Sequence, residues 1–120
     1  MVTLANNAVQ ERIDRFISTY YATPEFDREF ETRRKHTRFP MAETMDIMLD
    51  STQTPAEVIL TTGRDISEGG IGFYSHRPIP AGTEMVINID NGKDRLITKA
   101  VAVHNTMSVG LFKIGAKFIF

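Results

Sequence analysis

The chain has 120 residues, 42% hydrophobic and 24% charged, the ordinary composition of a soluble globular chain of one domain with its own core. Its 14 Lys and Arg against 15 Asp and Glu leave a net charge of −1, which argues against a duplex-DNA binder, and no apolar run is long enough to span a bilayer. The absence of cysteine excludes disulfides, thiolate metal sites and cysteine nucleophiles, and His36, His76 and His104 are too far apart to show a metal-ligand spacing.

The first fifteen residues lack a basic stretch followed by an apolar one, so no secretory signal is expected, and a cytoplasmic location is. From Asn7 to Tyr21 the apolar residues Val9, Ile13, Phe16, Ile17, Tyr20 and Tyr21 recur at spacings of three and four, the stripe of an amphipathic helix. Asn6 or Asn7 is the expected cap and Pro24 the expected stop. The stripe either packs on its own domain or forms a homodimer interface; the mixed charge opposite it does not favour a membrane surface. The expected division is a helical extension over residues 1–25 and a β-domain over residues 26–120.

A charged stretch follows, Phe26 to Thr37. Arg28, Arg33, Arg34, Lys35 and Arg38 fall within eleven residues of an otherwise neutral chain. Such a cluster is either a solvated basic loop or a site for a small anion. Pro40 then forces Phe39 into an extended conformation. Strand-like runs come next at Thr44–Leu49, Glu57–Thr61, Ile71–Ser75, Glu84–Ile89, Leu96–Val103 and Leu111–Phe120. Apolar residues alternate along them, as in Met45, Ile47 and Leu49, in Met85, Ile87 and Ile89, and in Phe112, Ile114, Ala116 and Phe118. Turn signals separate the runs: Gln53-Thr54-Pro55, Glu68-Gly69-Gly70, Pro78–Gly82 and the hairpin dipeptide Asn91-Gly92. No helix lies between strands. The expectation is mainly β, six antiparallel strands forming a small barrel or sandwich, with an N-terminal amphipathic helix.

Two elements carry chemistry. Arg34 and Arg38 form an R-x-x-x-R pair just before the first strand. Guanidinium is planar, permanently charged and forked, so it grips phosphate oxygens or the guanine O6/N7 edge with two bonds at once. The second element is Asp65-Ile66-Ser67-Glu68-Gly69-Gly70, a D-x-S-x-x-G turn. A carboxylate there can accept guanine N1–H and N2–H, Ser67 can bond the same edge or cap the turn, and Gly69 and Gly70 permit positive φ and the close approach of a flat base. A plain β-turn with Asp65 and Ser67 bonded to local amides explains the segment equally well.

Both elements, in this order on a six-strand chain, resemble the PilZ domain, the bacterial receptor module for cyclic di-GMP. The resemblance covers Thr32 to Phe120 and includes Ile71-Gly72-Phe73 and the closing Phe112-Lys113-Ile114-Gly115-Ala116-Lys117-Phe118. It implies a split six-stranded barrel, a loop carrying Arg34 and Arg38 that folds over the ligand, and a guanine held by Asp65, Ser67 and Gly70, with Gly69 beside them. Arg33, a third guanidinium, is expected to admit a second, stacked ligand molecule. Members often carry an aromatic or basic residue in the fifth strand, where this chain has Val101-Ala102-Val103-His104, so His104 is either a ligand contact or a packing residue. A helix often closes the barrel mouth in members, and here the N-terminal helix is the candidate. The resemblance implies a receptor with no cofactor and no metal, acting through a downstream protein that the sequence does not name.

Three alternatives remain. An enzyme is disfavoured: there is no nucleophile elbow, no P-loop and no carboxylate grouping for metals, and Glu43/Asp46 and Asp65/Glu68 read as surface charges. An oligonucleotide-binding barrel would need exposed aromatics, whereas most Phe fall at core-like positions. A PilZ-like module that binds protein and no nucleotide is the closer rival, although both motifs are intact. Before binding, the stretch from Glu31 to Phe39 is expected to be mobile and to order on the ligand.

Overall fold

Alternating apolar residues turn one side of each strand inward, and in this chain the inward sides meet around a closed ring. The computed structural model describes residues 2–20, 38–49 and 57–120, and of residues 2–7 only the backbone. The charged stretch with Arg33 and Arg34, and the Gln53-Thr54-Pro55 turn, lie outside the described residues.

The described elements are one helix, α1 (Val2–Ser18), and seven strands: β1 (Phe39–Pro40), β2 (Thr44–Leu49), β3 (Glu57–Ile66), β4 (Gly70–Ser75), β5 (Glu84–Asp90), β6 (Arg95–Ser108) and β7 (Leu111–Phe118). Six of them close an antiparallel barrel in the order β3-β2-β5-β6-β7-β4, with β4 pairing back onto β3. The seventh strand, β1, is outside the ring. It continues the β2 side of β3, Phe39 facing Ile66 and Pro40 facing Asp65. Backbone bonds from Met41 N to Arg64 O and from Gly63 N to Glu43 O bridge the gap between β1 and β2.

Met45, Ile47 and Leu49 of β2 pair with Ile89, Ile87 and Met85 of β5, and all six are buried. Phe73, Ile114, Phe118, Leu96 and Ala100 complete the interior. Each of the larger of these side chains contributes on the order of 1.5–3 kcal/mol by leaving water.

The helix is part of this core. Ile13, Phe16 and Ile17 are buried within the chain, and the Tyr20 ring lies against Phe16 and Phe39. Ile13, Phe16 and Ile17, the middle of the apolar stripe, are therefore packed into the chain's own core. Asn6 and Asn7, expected as caps, lie inside the helix, which begins at Val2. The helix stops at Ser18 with bonds from Thr19 N to Phe16 O (3.2 Å) and from Tyr20 N to Ile17 O (2.9 Å), a tightened last turn. Pro24, the expected stop, is outside the described residues. Asn91 donates to the Thr19 hydroxyl (2.8 Å) and Arg15 pairs with Asp94 (3.3 Å), which ties the helix end to the β5–β6 loop. No described helix is long and apolar enough to cross a membrane.

Two strands are longer than their alternation showed. β3 pairs with β2 through residues 57–62 and with β4 through residues 62–66. β6 pairs with β5 through residues 95–101 and with β7 through residues 100–108. Each changes partner part-way, and near that point each is interrupted by a shift in register, at Gly63/Asp65 and at Ala102/His104. Such bulges bend a strand round a barrel corner and re-aim its side chains.

Candidate functional site

The β4–β7 ladder is the floor of the site. Outward-facing residues along it pair as Gly70 with Lys117, Gly72 with Gly115, and Tyr74 with Lys113. The middle of this wall therefore has no side chains. The two bulged strands rise on either side.

On the β3 side, Arg64 and Asp65 together oppose Gly72, so the bulge turns both side chains onto the outer face. A Cβ on Gly72 would come within 2.7 Å of Asp65 Oδ1 and 3.1 Å of Arg64 Nη2, so both groups lie down on the bare backbone. On the β6 side, Val103 is the extra residue and His104 opposes Gly115. A Cβ on Gly115 would overlap the His104 imidazole. These substructures face one another across a cleft of about 490 Å³ lined by Arg38, Arg64, Ser67, Gly69, Gly70, Gly72, His104, Gly115 and Lys117 among others.

Asp65 is the electrostatic centre. Arg38 Nη1 contacts its Oδ1 at 3.3 Å and Arg64 Nη2 its Oδ2 at 3.3 Å. The carboxylate is only 17% exposed, against 53% for Arg38 and 35% for Arg64. Two cations on one anion leave a positive excess, and Lys117 adds to it. With the guanidinium groups this exposed, the pairs add little to folding and are free to exchange partners.

The expected turn is shorter than Asp65–Gly70. Asp65 and Ile66 end β3, and the chain reverses over Ser67 to Gly70, where Ser67 N donates to Gly70 O at 2.9 Å. The Ser67 hydroxyl accepts from Gly69 N at 3.3 Å and is itself buried, so its present contacts belong to the turn. The positive φ that Gly69 and Gly70 permit is not used: the described glycines of that kind are Gly82, Gly92 and Gly110. Gly70 is required for a different reason, since a Cβ there would collide with the Ala116 carbonyl. Gly69 accepts from Phe118 N at 3.0 Å, which fixes the turn against β7.

Of the residues singled out in the sequence, Arg38, Ser67, Gly69 and Gly70 line one cleft, and Asp65 is joined to it through its pair with Arg38. Arg33 and Arg34 lie outside the described residues. Arg64, Gly72, Gly115 and Lys117 were missed. Arg64 and Lys117 left a signal: Arg64-Asp65 breaks the alternation of β3, and Lys113 and Lys117 occupy outward positions between the apolar residues of β7. His104, left open above, stands on the wall of the cleft. Among the described residues no three His, Asp or Glu side chains gather where they could hold a metal ion.

Residues 32–119 match the family described as PilZ domain. No curated protein matches the chain. Among solved structures, the inhibitor of motility (MotI/DgrA) of Bacillus subtilis superposes with a TM-score of 0.56 at 19% identity, over 73% of this chain and 43% of that one. The PilZ domain with c-di-GMP of YcgR from Escherichia coli gives 0.51 at 13%, over 72% and 78%. The MrkH–c-di-GMP complex of K. pneumonia gives 0.56 at 17%, over 73% and 45%. At these identities the likeness is one of fold, and the chain spans less than half the length of the first and third.

Proposed function

The chain belongs to the PilZ domain family, and from that membership we propose that it is a receptor for cyclic di-GMP, binding the dinucleotide in the β4–β7 cleft without chemical turnover. The observation that carries the reading is that Arg38 and the Asp65–Gly70 segment, 27 residues apart in sequence, are joined through the Arg38–Asp65 pair at the edge of one cleft. Two solved structures of similar fold are described with c-di-GMP, which supports the choice of ligand.

In this reading a guanine lies on the bare Gly72–Gly115 floor with its N1–H and N2–H on Asp65. Arg38 leaves the carboxylate for the phosphates or the base edge, joined by Arg34 from the preceding segment. Each charge-assisted bond contributes about 1.5–3 kcal/mol. Neutralising the arginine cluster lets that segment settle against the barrel and present a new surface to a partner protein. Arg33 supplies the extra cation that a second, stacked ligand molecule needs.

Calorimetric titration with cyclic di-GMP tests this. Arg38→Ala and Arg34→Ala are each expected to weaken binding roughly ten- to a hundredfold with the β-sheet circular dichroism unchanged. Arg33→Ala is expected to reduce two bound molecules to one. A wild-type chain that binds no cyclic di-GMP at low micromolar concentration is instead a protein-interaction module of the same fold.

A further inference from the structure

We propose that Arg64 is a base-recognition residue of the cleft, reading the O6/N7 edge of the guanine whose N1 and N2 face Asp65; the inference rests on the cyclic di-GMP reading above. Without the β3 bulge, strand alternation would send Arg64 and Asp65 to opposite faces of the barrel wall. The register shift between Gly63 and Asp65 sets both opposite Gly72 instead. Arg64 then lies along the floor: a Cβ on Gly72 would be 3.1 Å from its Nη2 and 3.4 Å from its Nε.

The Asp65 charge alone does not require this neighbour, because Arg38 already pairs with Oδ1. Arg64 takes Oδ2 through Nη2, which leaves donors of its five-donor fork for a ligand. The two side chains present carboxylate acceptors next to guanidinium donors. The guanine edge runs N2–H, N1–H, O6, N7, two donors followed by two acceptors, and is the complement of that order. Adenine places an amino donor where guanine has O6 and an acceptor where guanine has N1–H, so it opposes both groups. Until a base arrives the pair satisfies itself, and binding exchanges one set of charge-assisted bonds for another.

The test is a titration of the full chain, as wild type, Arg64→Ala and Arg64→Lys, with cyclic di-GMP, its 7-deazaguanine analogue and cyclic di-AMP. Loss of N7 is expected to weaken the wild type about tenfold. Arg64→Ala is expected to bind cyclic di-GMP roughly ten- to a hundredfold more weakly, to become indifferent to the 7-deaza change, and to discriminate less against cyclic di-AMP. Arg64→Lys, with one donor for O6, is expected to recover part of the affinity and none of the N7 sensitivity. Wild-type affinity in Arg64→Ala overturns this inference alone. So does a weakened Arg64→Ala that keeps the 7-deaza penalty, since the arginine would then act only by positioning Asp65. If the wild type binds no cyclic di-GMP, the receptor reading fails and this inference falls with it.

Discussion

Gly72 and Gly115 face each other across the β4–β7 ladder, and each is bare because a neighbouring side chain stands where its Cβ would be. This kind of glycine cannot be told in the sequence from a turn glycine, whereas Asp65 and Arg38 were visible through their motifs. Ser67 shows the opposite ambiguity. Its hydroxyl now holds the turn, and the same oxygen is buried at the edge of the cleft. Tyr20 is a residue-scale feature with a measurable consequence. Burial is the main cause that pushes its phenol from the ordinary 10.0 to about 12; Asn91 opposes the shift and Glu43 adds to it. Its oxygen is buried with no partner at normal hydrogen-bond geometry. The unfolded chain therefore loses this proton near pH 10 and the folded one near pH 12, so stability present below pH 10 is lost as pH rises through that window. Tyr20→Phe should flatten this alkaline decline in thermal melts between pH 10 and 11.5. It should leave the melting temperature at pH 7 nearly unchanged, because no hydrogen bond is removed. A decline as steep as the wild type's would show that Tyr20 is not its source.

The elements divide by how regular they are. β2 and β5, with strict alternation between buried and exposed residues, have the bounds their patterns predict to within one residue. β3 and β6 extend well past their alternating parts, because at each bulge two successive residues, Arg64-Asp65 and Val103-His104, fall on the outer face and the pattern stops there. The part of each strand that the sequence conceals is thus the part that shapes the cleft. β1 is two residues long and carries no pattern at all. The β6–β7 connection is a two-residue turn with both φ values positive, at Val109 (47°) and Gly110 (79°). A β-branched residue in that conformation is unusual, so the turn gave no sequence signal. The helical stripe was visible, and its contacts make α1 a component of the barrel core. Phe16→Ala is expected to destabilise the chain by about 3–5 kcal/mol, as loss of a fully buried aromatic does. Urea unfolding that moves by less than 1 kcal/mol would instead make the helix an appendage, in keeping with a boundary near residue 25.

At the scale of the whole molecule, ring closure places the β4–β7 wall across the barrel from the β2–β5 wall. The first carries the glycine floor and the cations. The second side carries exposed apolar residues, among them Met48, Val58, Leu60 and Ile97. The two walls are distinct chemical surfaces on one small core, and of the two it is the first that the proposed dinucleotide would occupy. The sequence made the barrel and the two motifs legible, but the meeting of Arg38 with the Asp65–Gly70 segment depends on a corner bulge and on pairing between residues far apart in the chain. The most direct test is a backbone-amide NMR titration of the full chain with cyclic di-GMP. Shifts concentrated at Arg64, Asp65, Ser67, Gly69, Gly70, Gly72, His104 and Gly115, with Met48, Val58 and Leu60 unmoved, are the predicted result. No shifts, or shifts centred on the β2–β5 wall, would contradict the account.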